Sequence, residues 1–155
     1  MSARRVVSAI VAPYALLLAS AYLISALISM LKWACGLVGA KASLPGLIPA
    51  DIGFSAFAIT VSLLLMYGAV EVEGRDIYLL VGSSLAVAGM VLQLMVAAAN
   101  AADALIASLV GEVAEYSAAA DLMRPDVMLG AASLPLLMGS LRGVRRLVGP
   151  YRRLT

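Results

Sequence analysis

The chain has 155 residues, of which 63% are hydrophobic and 13% charged, with a net charge of +2 and a mean hydropathy of +1.02. A soluble domain carries roughly 45–50% apolar and about 25% charged residues, so charge this sparse cannot cover a small water-soluble globule. The composition excludes an ordinary soluble domain, a disordered tail and a disulfide scaffold, the charge is too small to imply nucleic acid, and an all-α integral membrane protein remains.

A spanning helix needs roughly 20 apolar residues, because lipid offers no partner to the backbone. The first candidate runs from Val6 to Leu31, bounded by Arg4 and Arg5 before it and Lys32 after it. At 1.5 Å per residue it measures about 39 Å. Ala19-Ser20-Ala21 resembles a signal-peptide cleavage site, but the apolar run continues through Tyr22 to Leu31 without a polar break. A signal's apolar region is about 7–15 residues, so a retained span is expected. Cys35, the one cysteine, reads as a small apolar residue.

Residues 33–50 are apolar yet contain Gly36, Gly39, Pro45, Gly46 and Pro49, a poor composition for a long helix. A shallow outer loop anchored by Trp33 is expected, with a re-entrant loop as the alternative. The second span runs over 52–70 and the third over 77–99. The polar link between them, Glu71 to Asp76, is short enough to make them an antiparallel hairpin, and Gly74 suits a left-handed turn position. Three spans begin just after an aspartate: Asp51, Asp76 and Asp126. Capping of free N–H groups and the helix dipole account for all three.

Past the third span, Leu105, Ile106, Leu109, Val110, Val113 and Tyr116 share a helical arc opposite Ser108, Glu112 and Glu115. This predicts an interfacial helix over about 103–121 on the outer surface, or an outer extension of the third span. Glu112 and Glu115 are i,i+3 neighbours that could together attract a cation, but two carboxylates without further oxygen ligands make a weak site, and a solvated acidic face is the expected reading. The fourth span, 127–141, has only 15 uncharged residues; Arg142 extends it by snorkelling, and a half-inserted helix is the alternative.

The tail, 142–155, has the clearest pattern. Leu141, Val144, Leu147, Val148, Tyr151 and Leu154 lie on one arc, and Arg142, Arg145, Arg146, Arg152 and Arg153 lie opposite, with Gly149-Pro150 as a break. This predicts a basic amphipathic helix on the inner surface. Each basic residue near anionic headgroups contributes about 1 kcal/mol, so these arginines are expected to fix the topology and anchor the fourth span at anionic lipid, with docking of a cytoplasmic partner as the more specific alternative. With four spans both ends share a side. Placing them in the cytoplasm leaves eight basic residues inside (Arg4, Arg5, Arg75, Arg142, Arg145, Arg146, Arg152, Arg153) against three outside (Lys32, Lys41, Arg124). That asymmetry predicts a multi-pass cell-membrane protein with cytoplasmic N- and C-termini.

Within the spans ionisable groups are nearly absent, and Gln93 is the one strongly polar side chain well inside. An interhelical hydrogen-bond tie is its expected role, with a substrate contact as the alternative. Small residues recur four apart at Ala21/Ser25/Ser29, Gly82/Ala86 and Gly139/Gly143, which favours close helix packing within the chain or between subunits. There is no histidine and no GxSxG, HExxH or phosphate-binding glycine loop, so neither catalytic residues nor metal or other cofactors are expected. The sequence reads best as one transmembrane domain over 1–155. Its expected role is a non-enzymatic accessory or scaffold subunit, homo- or hetero-oligomeric; a small oligomeric transporter or channel is the alternative.

Overall fold

The computed structural model describes residues 3–39, 46–71, 73–111 and 116–148, with side chains described between 10 and 144 of these. The described elements are five helices: α1 (Ala3–Leu37), α2 (Ile52–Val70), α3 (Arg75–Leu109), α4 (Ala118–Leu122) and α5 (Pro125–Val148). Four of them are long and apolar enough to cross a membrane, over Ile10–Leu37, Ile52–Val70, Arg75–Leu109 and Pro125–Val144.

The four long helices form an up-down-up-down bundle. α1 packs mainly on α2, α2 on α3 and α3 on α5, while α1 and α5 close the ring more loosely. Small residues set the register of each pair. Gly68 lies against Leu79, Gly82 against Leu64 and Leu65, and Gly89 against the Phe57 ring. On the other face of α3, Gly130 backs onto Met90 and the Ala86 carbonyl, and Gly143 onto the Asp76 carboxylate. A side chain at these positions would hold the helices apart, and without a hydrophobic drive between helices in lipid, close packing is what associates them. The core joins Leu18 and Tyr22 of α1, Phe54, Val61 and Leu65 of α2, Leu79 and Ala86 of α3 and Leu136 of α5.

Buried serines tie the bundle together. Ser62 Oγ on α2 donates to Ala19 O on α1 at 2.8 Å, and Tyr14 Oη on α1 donates to Ala132 O on α5 at 2.6 Å. Others, such as Ser133 and Ser140, donate back to the carbonyl four residues earlier in their own helix. A hydroxyl that has no water must find such an acceptor.

Four local expectations are corrected. First, α3 does not stop near Ala99. No glycine or proline interrupts residues 99–109, so the i to i−4 ladder continues to Leu109 and ends where Gly111 takes φ +83°. Of the stretch 103–121, the part up to Leu109 extends the third span, as the alternative reading has it, and its end belongs to the five-residue α4; 112–115 lie outside the described residues. Second, only Asp51 is an N-cap, its Oδ1 accepting from Gly53 N at 2.9 Å. Asp76 and Asp126 sit inside the first turns of α3 and α5, where they complement the dipole, and Asp126 Oδ1 also accepts from the first-turn Val127 N at 3.1 Å. Third, Gly74 has φ −94°, an ordinary conformation; the absence of a side chain makes room for the Tyr78 ring, not for a left-handed turn. Fourth, α5 continues unbroken from Pro125 to Val148, so the first part of the basic tail extends the fourth helix.

Candidate functional site

The strongest polar constellation lies at the end of the bundle where α2 and α5 begin. Gln93 is one turn beyond Gly89, Gly53 one turn beyond Phe57 and Asp126 one turn beyond Gly130, so the contacts above put Gln93, the start of α2 and the start of α5 at one level. Gln93 and Asp126 are both about nine-tenths buried there. Arg124, in the turn between α4 and α5, joins them. Beside a guanidinium the Gln93 amide presents its oxygen, since its NH2 would set donor against donor. That oxygen accepts from Arg124 Nε at 3.1 Å and from Nη1 at 3.3 Å. Arg124 Nε also lies 3.6 Å from Asp126 Oδ1. A carboxylate this buried needs a nearby cation, and Arg124 is the basic side chain that meets it.

One group beneath this cluster has no bond. Tyr22 of α1 is fully buried, and its hydroxyl has no hydrogen-bond partner among the described residues. Ser133 and Asp126 are the polar side chains that bear on it; the Ser133 hydroxyl donates to Leu129 O and keeps its acceptor lone pairs.

Above the level of Gln93 the bundle has a cap built from the segment before α2, from α4 and from the outward continuation of α3. Residues 46–51 are irregular backbone and approach the apolar layer, with Ile48 buried in the core. Their carbonyls are satisfied by α1. Ser29 Oγ donates to Pro49 O at 2.7 Å, with Asp51 O a second acceptor at 2.9 Å, and Lys32 Nζ donates to Ile48 O. Such backbone is tolerated near a membrane only where protein groups take its polar atoms. On the other side Tyr116 Oη donates to Ala97 O at 3.2 Å, and Asn100 Nδ2 donates to Asp121 Oδ2 at 3.3 Å, fastening α4 to α3.

Two open cavities flank α4 and share Ala120 and Asp121. The larger, about 470 Å³, is lined by Asn100, Asp103, Ala107, Tyr116, Ser117 and Asp121. The smaller, about 210 Å³, is lined by Gly46, Leu47, Pro49, Asp121 and Arg124, so Arg124 connects this open cavity to the buried cluster.

Of the residues singled out from sequence, Gln93 is placed in this cluster and Arg142 is exposed towards the C-terminal end of α5. Arg145 and Arg146 lie on the α5 backbone, their side chains outside the described ones, and Glu112, Glu115, Arg152 and Arg153 lie outside the described residues. Arg124, Asn100, Asp121 and Tyr22 were not singled out. Tyr22 carries no polar signal within an apolar run, and Arg124 reaches Gln93 across 31 positions of sequence.

Residues 5–142 match the model of the MJ0565 integral membrane domain. No curated protein and no solved structure matches the chain. With four helices able to cross a bilayer and a match over most of its length, the chain is a multi-pass membrane protein and belongs to the MJ0565 integral membrane domain family.

Proposed function

We propose that this chain is a non-enzymatic accessory or scaffold subunit of a cell-membrane assembly, with both ends in the cytoplasm. The observation that carries this reading is how the buried polar groups are used. Ser62, Tyr14, Ser29 and the Gln93–Arg124–Asp126 group each join one segment of the bundle to another. A catalytic centre needs a nucleophile or base held free for substrate beside a positioned partner. A scaffold needs a rigid bundle and an apolar exterior, and large exposed apolar side chains cover every long helix.

Extraction from native membranes at natural expression level tests the proposal. Recovery with other subunits, or as several copies, supports it; recovery only as a lone monomer contradicts it.

One observation favours a second reading, a small oligomeric transporter or channel. The orphaned Tyr22 hydroxyl, Ser133 and Asp126 form a polar seam under the outer cavities, next to the looser α1–α5 contact. Intramembrane ionisable groups commonly mark solute paths. Reconstitution in liposomes with a flux screen separates the two readings: a flux that Gln93→Leu or Asp126→Asn abolishes establishes transport, and its absence leaves the scaffold.

A further inference from the structure

α3 is longer than the membrane it crosses. Its 35 residues make a rod of about 52 Å, against about 30 Å of hydrocarbon. One face of this rod is uncharged along its whole length: Ile77, Val81, Ser84, Met95, Ile106 and Leu109 share one helical arc and are all exposed, with Ser84 its one polar member among these. No charged residue interrupts the stripe. Asn100 and Asp103 line the cavity beside α4 instead.

Lipid covers only part of this stripe. Measured from Ile77, about 30 Å of hydrocarbon ends near Ala97, and headgroups add about 5–7 Å. Leu105, Ile106 and Leu109 stand beyond that, 66%, 60% and 87% exposed. A tilt of about 20° shortens the stripe from about 48 to about 45 Å, so tilt does not bring them back. None of the chain's own described helices lies over them. Apolar side chains held on a rigid helix in water mark an interaction surface.

We infer that this stripe of α3 is a self-association surface that pairs two copies of the chain, side by side, about a two-fold axis along the membrane normal. The inference rests on the assembly reading above and names the partner. Three features select a second copy. The occupant must be uncharged along its contact, because the stripe is. It must also rise to the same height above the bilayer on the same side, which a second α3 does by symmetry. A stripe about 48 Å long and about 10–12 Å wide gives roughly 500–600 Å² a side, or about 1,000–1,200 Å² in total, which reaches the ~1,000 Å² expected of a specific interface.

Disulfide cross-linking in native membranes tests this. In a Cys35→Ala background, single cysteines are placed at Ile106 or Leu109 on the stripe and at Ala104 or Ala107 on the face toward α4. Mild oxidation is expected to give a species of twice the chain mass from Ile106→Cys and Leu109→Cys, at least tenfold more than from Ala104→Cys or Ala107→Cys. A second variant, Leu105→Lys with Leu109→Lys, is expected to abolish the cross-link at Ile106→Cys. Equal cross-linking on both faces, or none on the stripe, overturns the inference. So does a cross-linked species of any other mass, which identifies a different partner. If the chain still co-purifies with other subunits when the cross-link fails, the scaffold reading survives; if it is also a lone monomer, both fall.

Discussion

The packing of α3 against α5 makes a sharp prediction at Gly130. A Cβ built there lies 2.5 Å from Met90 Cβ and 2.9 Å from the Ala86 carbonyl oxygen. Neither atom is the end of a flexible side chain, so Gly130→Ala forces the two helices apart. Overpacking of this kind costs about 1–3 kcal/mol. Alanine recovers about 1 kcal/mol of helix propensity relative to glycine, so the net expectation is a loss of up to about 2 kcal/mol. Gly139→Ala is the internal control. It lies about two and a half turns further along the same helix, and a Cβ there meets nothing within 4 Å. Only the propensity gain applies, so it is expected to be neutral or up to about 1 kcal/mol more stable. Gly143→Ala falls between them, because the Asp76 carboxylate that it meets can swing aside. Denaturant unfolding of the three variants in one detergent, followed by far-ultraviolet circular dichroism, reads the order. If Gly130→Ala is as stable as Gly139→Ala, the close approach of α3 and α5 is wrong.

Two tyrosines on α1 give opposite expectations. Tyr14→Phe removes the bond to Ala132 O and is expected to cost about 0.5–1.5 kcal/mol in the same unfolding assay. Tyr22→Phe removes a buried hydroxyl that has no partner, and is expected to leave stability unchanged or raise it; a loss of 1 kcal/mol or more refutes its isolation. Gln93→Leu leaves Arg124 without its amide acceptor and is expected to cost about 1–2 kcal/mol, whereas Asn100→Ala, at an exposed bond, is expected to cost under about 0.5 kcal/mol. A tag on the C-terminus is expected to resist protease added to intact cells and to be cut after lysis; digestion from outside reverses the orientation.

Several features of this fold are legible in the sequence for a physical reason. Four apolar runs must become helices, because lipid leaves the backbone no other acceptor, and they do. The end of α3 is only partly legible, because polarity and helicity are separate signals: a helical extension of the third span and a separate helix fit the same arc. Asn100 and Asp103 mark where the hydrocarbon ends, but only a breaker ends a helix, and the next one is Gly111. The aspartates show the same limit. Asp51 caps as its position suggests, while Asp76 and Asp126 differ from it by two residues of register, which composition does not encode. In the candidate site, Gln93 stands out as a polar side chain among apolar ones. Its partner Arg124 comes from a segment that reads as an ordinary outer loop, and only the antiparallel pairing of α3 with α5 brings the two together. Ser29 stands out as one of a series of small residues; its hydroxyl is instead the acceptor and donor that holds residues 49–51.

The mass of the particle released from native membranes by an amphipathic polymer, which keeps the lipid annulus, tests the assembly reading most directly. A protein mass of at least twice the 16.0 kDa chain is expected, falling to one copy when Leu105→Lys and Leu109→Lys are introduced. A single 16.0 kDa chain in its own disc of lipid, at natural expression level, contradicts it.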